Sequence, residues 1–300
     1  MRELTECLVC KGNKFSEYAR STFSGSVHDA SQYFLANRHG VVHGRIVECR
    51  DCGFKFTNPQ FNARDYDDIY KDAPRDSTIS METADARRFR RLAKYVRQDV
   101  SNRRRFLDFG CGRGGFLEAM NDPAGHGFEV GAPSKFIAGA STVTTGRFFD
   151  VMGREPFIDG AFDFITAFDV FEHLPDLAEY VDSLSGLLTP KGRLIVTVPD
   201  GASWNAKLSG RRWNMYLLEH LWYFDQKTLN TFMNGAGFRQ ISHRSVPYDA
   251  SLAHLARRVG QTYAAFPPSL AKLLPEFVIP VPIGVMYSVF EKSKPSKITT

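Results

Sequence analysis

The chain has 300 residues, of which 43% are hydrophobic and 24% are charged, and its formal net charge is +5. This composition suits one large α/β domain with a small appendage, and it excludes a disordered chain, a collagen or a repeat array. The slight positive charge permits an anionic substrate but disfavours nucleic acid as a partner. No transmembrane segment is expected, because the most apolar stretch, Phe277 to Phe290, is short and contains two prolines. Met1 to Cys10 carries charges and does not resemble a secretory signal, so we expect a cytoplasmic protein.

Two Cys-x-x-Cys pairs, Cys7 with Cys10 and Cys49 with Cys52, lie in residues 1–60. A Cys-x-x-Cys turn directs two thiolates at one ion, so two such turns complete a tetrahedral site. A reducing compartment disfavours disulfides, and four thiolates leave no coordination position open for catalysis. The sequence therefore predicts a zinc-binding module over residues 1–60, with a structural Zn²⁺ bound by these four cysteines.

Two alternatives to four-cysteine zinc ligation stay open. The four thiols can be buried or redox-active without a metal. One of the histidines in the 38-residue loop between the pairs, namely His28, His39 or His43, can also replace a cysteine as ligand.

Residues 61–102 form a helical, strongly basic connector. Its cations, together with those that follow directly, are Arg87, Arg88, Arg90, Arg91, Lys94, Arg97 and Arg103 to Arg105. Such a run is ordinarily a solvated helix face, which is the interpretation we favour. The functional alternative is contact with an anionic acceptor such as a nucleotide-sugar, a lipid headgroup or RNA.

From residue 103 onward, short apolar strands alternate with amphipathic helices, which is typical of a parallel sheet with helical crossovers. The predicted strands are Arg105–Phe109, Phe128–Gly131, Arg147–Phe149 (weak), Phe162–Phe168, Arg193–Thr197, Phe238–His243 and Gly284–Glu291. The predicted helices are Gly115–Met120, Lys135–Ala140, Leu177–Leu188 and one from the N-cap Asp225 to Ala236. We therefore expect a Rossmann-like, seven-stranded, mostly parallel sheet in an α/β domain over residues 103–300.

The first of these strands runs into a glycine-rich turn and then into a helix. Gly110, Gly112 and Gly115 match a dinucleotide fingerprint, but such a match alone is weak. Asp108, two residues before the first glycine, would repel a pyrophosphate and suits a cationic ligand group instead. The turn therefore favours a ligand that carries positive charge.

The segment Asp108-x-Gly110-x-Gly112-x-Gly114 resembles motif I of class I S-adenosylmethionine-dependent methyltransferases, in which the acid and the glycines line the methyl donor. The segments that begin at Phe162, at Asp169 and at Leu187 resemble the family's fourth strand, the loop after it and the lead into its fifth strand. The segment from Glu219 to Phe224 is similar to a subgroup that often has an N-terminal CxxC…CxxC module. The resemblance implies S-adenosylmethionine as cofactor, with Asp108, Gly110, Gly112, Gly114 and Asp169 at the donor site.

The chain departs from this pattern at the second strand. The family normally has Glu or Asp at the strand's end, where the acid holds the donor's ribose hydroxyls. Here Ala132 stands at the matching position, and Glu129 lies three residues earlier, an odd offset that turns a side chain to the other face. We therefore expect Ala132 to mark a weakened donor site, with Ser134 able to supply one hydrogen bond.

Two histidines are candidates for a catalytic base. Methyl transfer needs precise positioning, and a base only where the acceptor's nucleophile carries a proton. His173 follows the fourth strand at the edge where ligands bind in open parallel sheets, and an imidazole can take a proton near neutral pH. His220 ends an insertion over residues 201–222 that is rich in aromatics. Those aromatics, Trp204, Trp213, Tyr216 and Trp222, could wall an acceptor pocket or form a core.

The predicted function is transfer of a methyl group from S-adenosylmethionine to a small molecule, most plausibly to an oxygen of a sugar, a quinone or a natural-product intermediate. One alternative is an RNA methyltransferase, against which the low charge argues. A second is a non-catalytic, methyltransferase-like scaffold subunit, which the alanine at position 132 keeps open. The sequence leaves the oligomeric state undetermined.

Overall fold

A computed structural model of the chain describes residues 1–34, 42–72, 79–102, 104–131, 137, 139–252, 255–256 and 277–293. The strands are β1 (Phe15–Ala19), β2 (Ile46–Cys49), β3 (Lys55–Thr57), β4 (Phe106–Phe109), β5 (Gly125–Glu129), β6 (Thr142–Thr145), β7 (Phe162–Phe168), β8 (Leu188–Pro199), β9 (Trp222–Tyr223), β10 (Phe238–Ser251) and β11 (Val278–Lys292). The α-helices are α1 (Val27–Ala30), α2 (Ala63–Asp72), α3 (Ile79–Asp99), α4 (Gly115–Met120), α5 (Phe148–Val151), α6 (Leu177–Leu187), α7 (Trp204–Ser209) and α8 (Gln226–Gly235). No described helix is long and apolar enough to cross a membrane.

The larger sheet has seven strands in the order β10-β11-β8-β7-β4-β5-β6. The pairs β6–β5, β5–β4, β4–β7 and β7–β8 are parallel, whereas β11 pairs with both β8 and β10 in antiparallel fashion. The fold prediction is therefore confirmed. The chain leaves β4 towards β5 on one side and later returns to place β7 on the other, so the carboxyl ends of β4 and β7 flank the point where ligands bind in such sheets.

The centre of this sheet is hydrophobic on both faces, as a parallel sheet covered by helices requires. All four residues of β4 are buried, and Phe106 stacks on Phe164 of β7 with ring centroids 4.9 Å apart. On the opposite face Phe109 stacks on Phe128 of β5 at 5.5 Å. These layers fix the end of β4 in place, and the glycine turn begins there.

The smaller sheet has the order β1-β2-β3-β9. The N-terminal strands therefore share a sheet with Trp222 and Tyr223, which follow β8 in the chain. Phe54 and Phe56 pack against Trp222, with ring centroids 6.3 and 6.1 Å apart. The same core cluster includes Leu107 and Phe109 of β4 in the larger sheet. The four-cysteine segment and the larger domain therefore pack through a continuous core.

The aromatics of residues 201–222 form hydrophobic core and not the wall of a pocket. Trp213 and Trp222 are 1% and 4% exposed, and Trp213 packs edge-on against Tyr216 at 5.3 Å. Trp204 is the exception: it is 58% exposed and donates from Nε1 to the Pro282 carbonyl. The buried aromatics around the short strand β9 therefore pack the smaller sheet against the larger domain.

Two predictions for the segment that follows α4 were wrong. The third strand is the β-branched run Thr142–Thr145, and the predicted strand Arg147–Phe149 is instead the start of α5. The side chain of Phe148 turns inward there and contacts Phe109 at 4.8 Å. The second strand ends at Glu129 and not at Gly131. Half of the predicted helix Lys135–Ala140 lies outside the described residues, and Gly139 and Ala140 at its predicted end form a turn.

The expectation of a solvated face holds for part of helix α3: Arg90 and Lys94 are exposed, whereas other cations contact the protein. Arg91 forms a bidentate salt bridge with the buried Asp249, with nitrogen–oxygen distances of 2.6 and 3.0 Å. Arg88 reaches Asp169 beyond β7, and Arg97 donates to carbonyls at the end of α4. Arg88 and Arg91 therefore attach the connector helix to the loop after β7 and to β10. Arg103 lies outside the described residues.

Candidate active site

The glycine turn after β4 adopts a conformation that other residues rarely take. Gly110, Gly112 and Gly114 all have positive φ, at 74°, 54° and 90°. A Cβ on Gly110 would lie 2.5 Å from Cγ2 of Val170, so this glycine allows the turn and the loop after β7 to pack together. A Cβ on Gly112 would meet nothing within 4 Å. Gly112 therefore faces the open space in which a ligand can approach the backbone.

Glu129, the last residue of β5, lies against this turn. Its Oε2 accepts a hydrogen bond from the Gly112 amide at 2.8 Å, and its Oε1 accepts one from the Gly131 amide at 3.4 Å. The expectation that Glu129 faces away from the donor site was therefore wrong, because the strand ends at Glu129, two residues earlier than predicted. Ala132 lies outside the described residues. An acid does end the second strand, and its carboxylate borders the glycine turn.

Asp108 is buried in the last part of β4. Its side chain is held by Thr166 of β7, whose Oγ1 donates to Oδ1 at 2.7 Å. Burial raises the pKa of Asp108 to about 7, the hydrogen bond from Thr166 works in the opposite direction, and the negative charge of Glu129 raises it further. A cation bound nearby would lower this pKa and favour the ionised carboxylate.

Asp169 directly follows β7 and has a φ of 54°, which is uncommon for a residue with a side chain. Its carboxylate accepts hydrogen bonds from Arg88 at 2.5 Å and from the Thr197 hydroxyl at 2.7 Å, and its amide donates to the Thr197 carbonyl. The structure thus ties Asp169 into the protein's own network. Arg88, which the sequence indicated only as one cation of the basic connector, and Thr197, which it did not indicate, hold this turn in its left-handed conformation.

The two candidate histidines lie side by side. The rings of His173 and His220 are nearly perpendicular, and their centroids are 4.7 Å apart. Nδ1 of His173 bonds to the Glu219 carbonyl at 3.1 Å, and Nδ1 of His220 bonds to the Met215 carbonyl at 2.8 Å. A carbonyl only accepts, so Nδ1 carries the proton in each neutral ring and Nε2 carries the basic lone pair.

Glu172 completes this cluster. Its carboxylate and the two imidazoles each contribute an atom within 4.8 Å of the others. Glu172 is 2% exposed, and its pKa is raised well above its ordinary value, chiefly by burial and next by the charge of Asp169. Its backbone carbonyl accepts from the Leu221 amide at 2.7 Å, which joins the two loops. Two imidazoles beside an acid whose pKa is raised can accept, hold or return a proton.

The four N-terminal cysteines converge on one point. The Sγ atoms of Cys7 and Cys52 are 3.7 Å apart, those of Cys10 and Cys49 are 3.6 Å apart, and all four lie within 4.8 Å of one another. Thiolates at about 2.3 Å from a tetrahedral Zn²⁺ are about 3.8 Å from each other, so the group fits the ion.

The surroundings of the cluster support the same ligand set. The amides of Lys11 and Gly53 donate to the carbonyls of Cys7 and Cys49, which gives the two turns matching geometry. Among the histidines considered as substitutes, His43 bonds to the Gly44 carbonyl and His28 lies on α1, while His39 is outside the described residues. Within the described chain, the group around the four cysteines includes no histidine.

These features define the class: a Rossmann-like sheet whose glycine turn, strand-end acid and following loop have the arrangement of a methyltransferase. The family model described as a methyltransferase domain matches residues 81–243, which is more than half of the chain. The chain therefore belongs to the methyltransferase domain family.

Individual relatives are more distant. The chain is 28% identical over 103 residues to a ubiquinone biosynthesis O-methyltransferase of Marinobacter nauticus, a match over 31% of this chain and 43% of that protein. The chain thus spans less than half the length of this curated relative.

Two solved structures illustrate the likeness in fold. They are the 1,6-didemethyltoxoflavin-N1-methyltransferase of Burkholderia thailandensis (13% identity, TM-score 0.47, 82% of this chain and 98% of that one) and the magnesium protoporphyrin IX methyltransferase of Synechocystis PCC 6803 (12% identity, TM-score 0.44, 79% and 90%).

Replacing Asp108 should stabilise the fold. Because its folded pKa of about 7 lies above an unfolded value of about 3.9, the unfolded chain releases this proton first, and stability is lost as pH rises from about 4 to about 7. We expect Asp108→Asn to raise the free energy of unfolding at pH 7.5 by about 2–4 kcal/mol, and to leave it nearly unchanged below pH 4.

Urea denaturation at several pH values measures this difference. The control is Asp182→Asn on the exposed face of α6, which should show no such pH dependence. A stability difference for Asp108→Asn that stayed constant from pH 4 to pH 8 would contradict the elevated pKa.

Proposed function

We propose that this chain binds S-adenosylmethionine at the turn between β4 and α4 and transfers its methyl group to an oxygen of a small-molecule acceptor, such as a sugar, a quinone or a natural-product intermediate. The observation that carries the proposal is the position of Glu129 at the end of β5, with its carboxylate 2.8 Å from the amide of Gly112. An acid at this place can accept hydrogen bonds from both ribose hydroxyls of the donor. Asp108 supplies negative charge for the donor's cationic methionine end.

The same observation bears on the alternative of a non-catalytic scaffold. That alternative depended on the absence of an acid at the end of the second strand, and Glu129 supplies one. We do not favour RNA as the acceptor, because Arg88 and Arg91 of the basic connector are engaged with Asp169 and Asp249. This leaves Arg90 and Lys94 as exposed cations with no acidic contact among the described residues.

The histidine pair supports transfer to an acceptor that must lose a proton. Val170, which packs on the glycine turn, is three residues from His173 in the same loop, so donor site and histidines are neighbours. Either imidazole can take the hydroxyl proton through Nε2 as the oxygen attacks the methyl carbon. Glu172, whose pKa burial raises well above its ordinary value, lies within 4.8 Å of both rings. The name of the Marinobacter relative, an O-methyltransferase, supports oxygen as the acceptor atom.

We further propose that Cys7, Cys10, Cys49 and Cys52 bind one structural Zn²⁺. Four thiolates fill the coordination sphere, so the ion would fold the segment and take no part in methyl transfer. Burial raises the pKa of Cys7, and that of Cys52 to about 11, so metal binding would release protons from these thiols. Thiols kept for metal binding agree with the proposed cytoplasmic location.

The zinc proposal predicts close to one zinc per chain in protein purified without chelator. Cys10→Ser and Cys49→Ser should each lower the zinc content, because each removes one of four ligands. Cys111→Ser is the matched control: Cys111 is buried beside the glycine turn, outside the four-cysteine group, and its loss should leave zinc unchanged. Elemental analysis measures the content, and zinc-free wild-type protein would refute the proposal.

The donor proposal predicts that Glu129→Gln weakens S-adenosylmethionine binding by about 10–100-fold, because a charged hydrogen bond contributes about 1.5–3 kcal/mol. Isothermal titration calorimetry measures the affinity. Glu118→Gln on the exposed face of α4 removes a nearby carboxylate without touching the turn, and it should bind as the wild type does. Equal affinity of Glu129→Gln and wild type would place the ribose elsewhere.

The base proposal predicts that alanine at His173 or at His220 lowers turnover by about 10²–10⁴-fold while donor affinity stays nearly unchanged. Transfer of a labelled methyl group to the acceptor measures turnover, and calorimetry measures donor affinity. His28→Ala, far along the chain on α1, is the control. Full activity of both variants would mean that the acceptor needs no histidine base. A carboxylate or an acidic phenol is such an acceptor, because it is already deprotonated near neutral pH.

A further inference from the structure

Helix α7 presents two large apolar side chains to solvent, and the proposed function uses neither of them. Trp204 is exposed, and Leu208 is 78% exposed, more than any other large hydrophobic residue that the structure describes. The two residues are four positions apart and therefore project from the same face of the helix. Ala206, on the opposite face, is buried. A single exposed Leu is ordinary, but a Trp and a Leu side by side form an apolar patch.

Three exposed cations lie beside this patch. They are Lys207, Arg211 and Arg212, and the last two follow in the short turn after α7. Residues 201–218 contain no Asp or Glu. Among the described residues, none of the three cations forms a salt bridge. We call the two apolar residues and the three cations together the α7 surface: Trp204, Lys207, Leu208, Arg211 and Arg212.

The α7 surface is attached firmly to the larger sheet. Ser203 caps the helix, because its Oγ accepts from the Ala206 amide at 3.2 Å. Ser203 also packs on Gly284 of β11, where an added Cβ would lie 2.2 Å from the Cβ of Ser203. The indole Nε1 of Trp204 donates to the Pro282 carbonyl at 2.7 Å. Since its one polar group is already bonded, the Trp204 ring offers apolar surface to a partner.

A lipid bilayer matches this combination better than a folded partner does. Trp favours the level of the lipid headgroups, Leu favours the boundary of the acyl chains, and Lys and Arg attract anionic headgroups. A stable protein–protein interface buries about 800 Å² on each partner around a packed apolar centre. The α7 surface instead has two apolar side chains on a helix of six residues. Two such side chains bind a membrane weakly, so the cations should make binding depend on anionic lipid.

We propose that the α7 surface docks the protein reversibly on a bilayer that contains anionic phospholipid. Trp204 and Leu208 would enter the boundary between headgroups and acyl chains, and the three cations would contact lipid phosphates. The same segment continues to Met215, whose carbonyl accepts the hydrogen bond from Nδ1 of His220. A docked bilayer would therefore adjoin the segment that positions the histidine pair. The docking itself does not depend on the proposed methyl transfer.

Co-sedimentation of the full chain with vesicles tests the proposal. The protein should bind vesicles of equimolar phosphatidylcholine and phosphatidylglycerol at least about tenfold more tightly than vesicles of phosphatidylcholine alone, and added salt should weaken this binding. Lys207→Gln combined with Arg212→Gln should lower the affinity for the anionic vesicles at least about tenfold. Arg90→Gln combined with Lys94→Gln is the charge-matched control, because it removes two exposed cations from α3, and it should bind nearly as the wild type does.

Tryptophan fluorescence reports which part of the protein meets the lipid. Trp213 and Trp222 are buried, so Trp204 is the tryptophan whose surroundings change on docking. Its emission should shift to shorter wavelength with anionic vesicles and be quenched by lipids with brominated acyl chains, and Trp204→Phe should lose both signals. Leu208→Ser should weaken binding, whereas Ile158→Ser, at an exposed aliphatic residue elsewhere, should not.

Three results would each overturn the proposal: equal affinity for the two kinds of vesicle, unchanged Trp204 emission, or equal losses in the two charge variants. Self-association without vesicles that Leu208→Ser abolishes would assign the α7 surface to a second copy of the chain instead. Each variant should keep the wild-type melting temperature, because the substituted side chains are exposed. Calorimetry with S-adenosylmethionine separates the two proposals: absent donor binding with intact vesicle binding would refute the methyltransferase proposal and leave the docking standing.

Discussion

The pairing of Thr57 with the segment that precedes β9 connects the parts of this molecule. Its amide donates to the Leu221 carbonyl at 2.9 Å, and its hydroxyl donates to the His220 carbonyl at 3.0 Å. Thr57 ends β3, whose partner strand β2 ends at Cys49. The backbone at His220 is therefore positioned by the same small sheet that carries the cysteine cluster. A structural metal here would fix the active-site geometry at a distance through strand pairing and not through contact with substrate.

Several buried polar groups in this protein lower the stability of the fold. Asp108, Glu172 and Gln60 are each at most 3% exposed. Burial raises the pKa of the two acids, and Gln60 has two unpaired polar atoms within the described chain. Some other buried polar side chains have hydrogen-bond partners, such as Asp249, bound by Arg91, and Thr228, bound by Asp225. Proteins accept such local costs mainly at functional sites. Asp108 lies two residues before the glycine turn, and Glu172 lies within 4.8 Å of the histidine pair.

The sequence predicted those elements that have strong local signals. Strand β7 and helix α4 begin and end where expected, because an apolar run bounded by turn residues and a glycine-capped helix start are read locally. The spacing of the cysteines likewise predicted their convergence. The second strand was misplaced because its sequence, Gly-His-Gly-Phe-Glu, is weak in β-formers, so its end could not be fixed and Glu129 was assigned to the wrong face. Glu172 is adjacent in sequence to His173, which the sequence did indicate. Its burial and its position between two loops depend on tertiary packing and could not be predicted from the sequence.

The conformation of Asp169 couples the donor side to the acceptor side. Its left-handed backbone is held by Arg88 and by Thr197, so the turn that follows β7 has one fixed course. Val170, the next residue, fills the space beside Gly110, and Glu172 and His173 lie within the same turn. A shift of this turn would therefore move the floor of the donor site and the histidine pair together. Because Arg88 comes from α3, the connector helix sets the relation between the two halves of the site through its contact with Asp169.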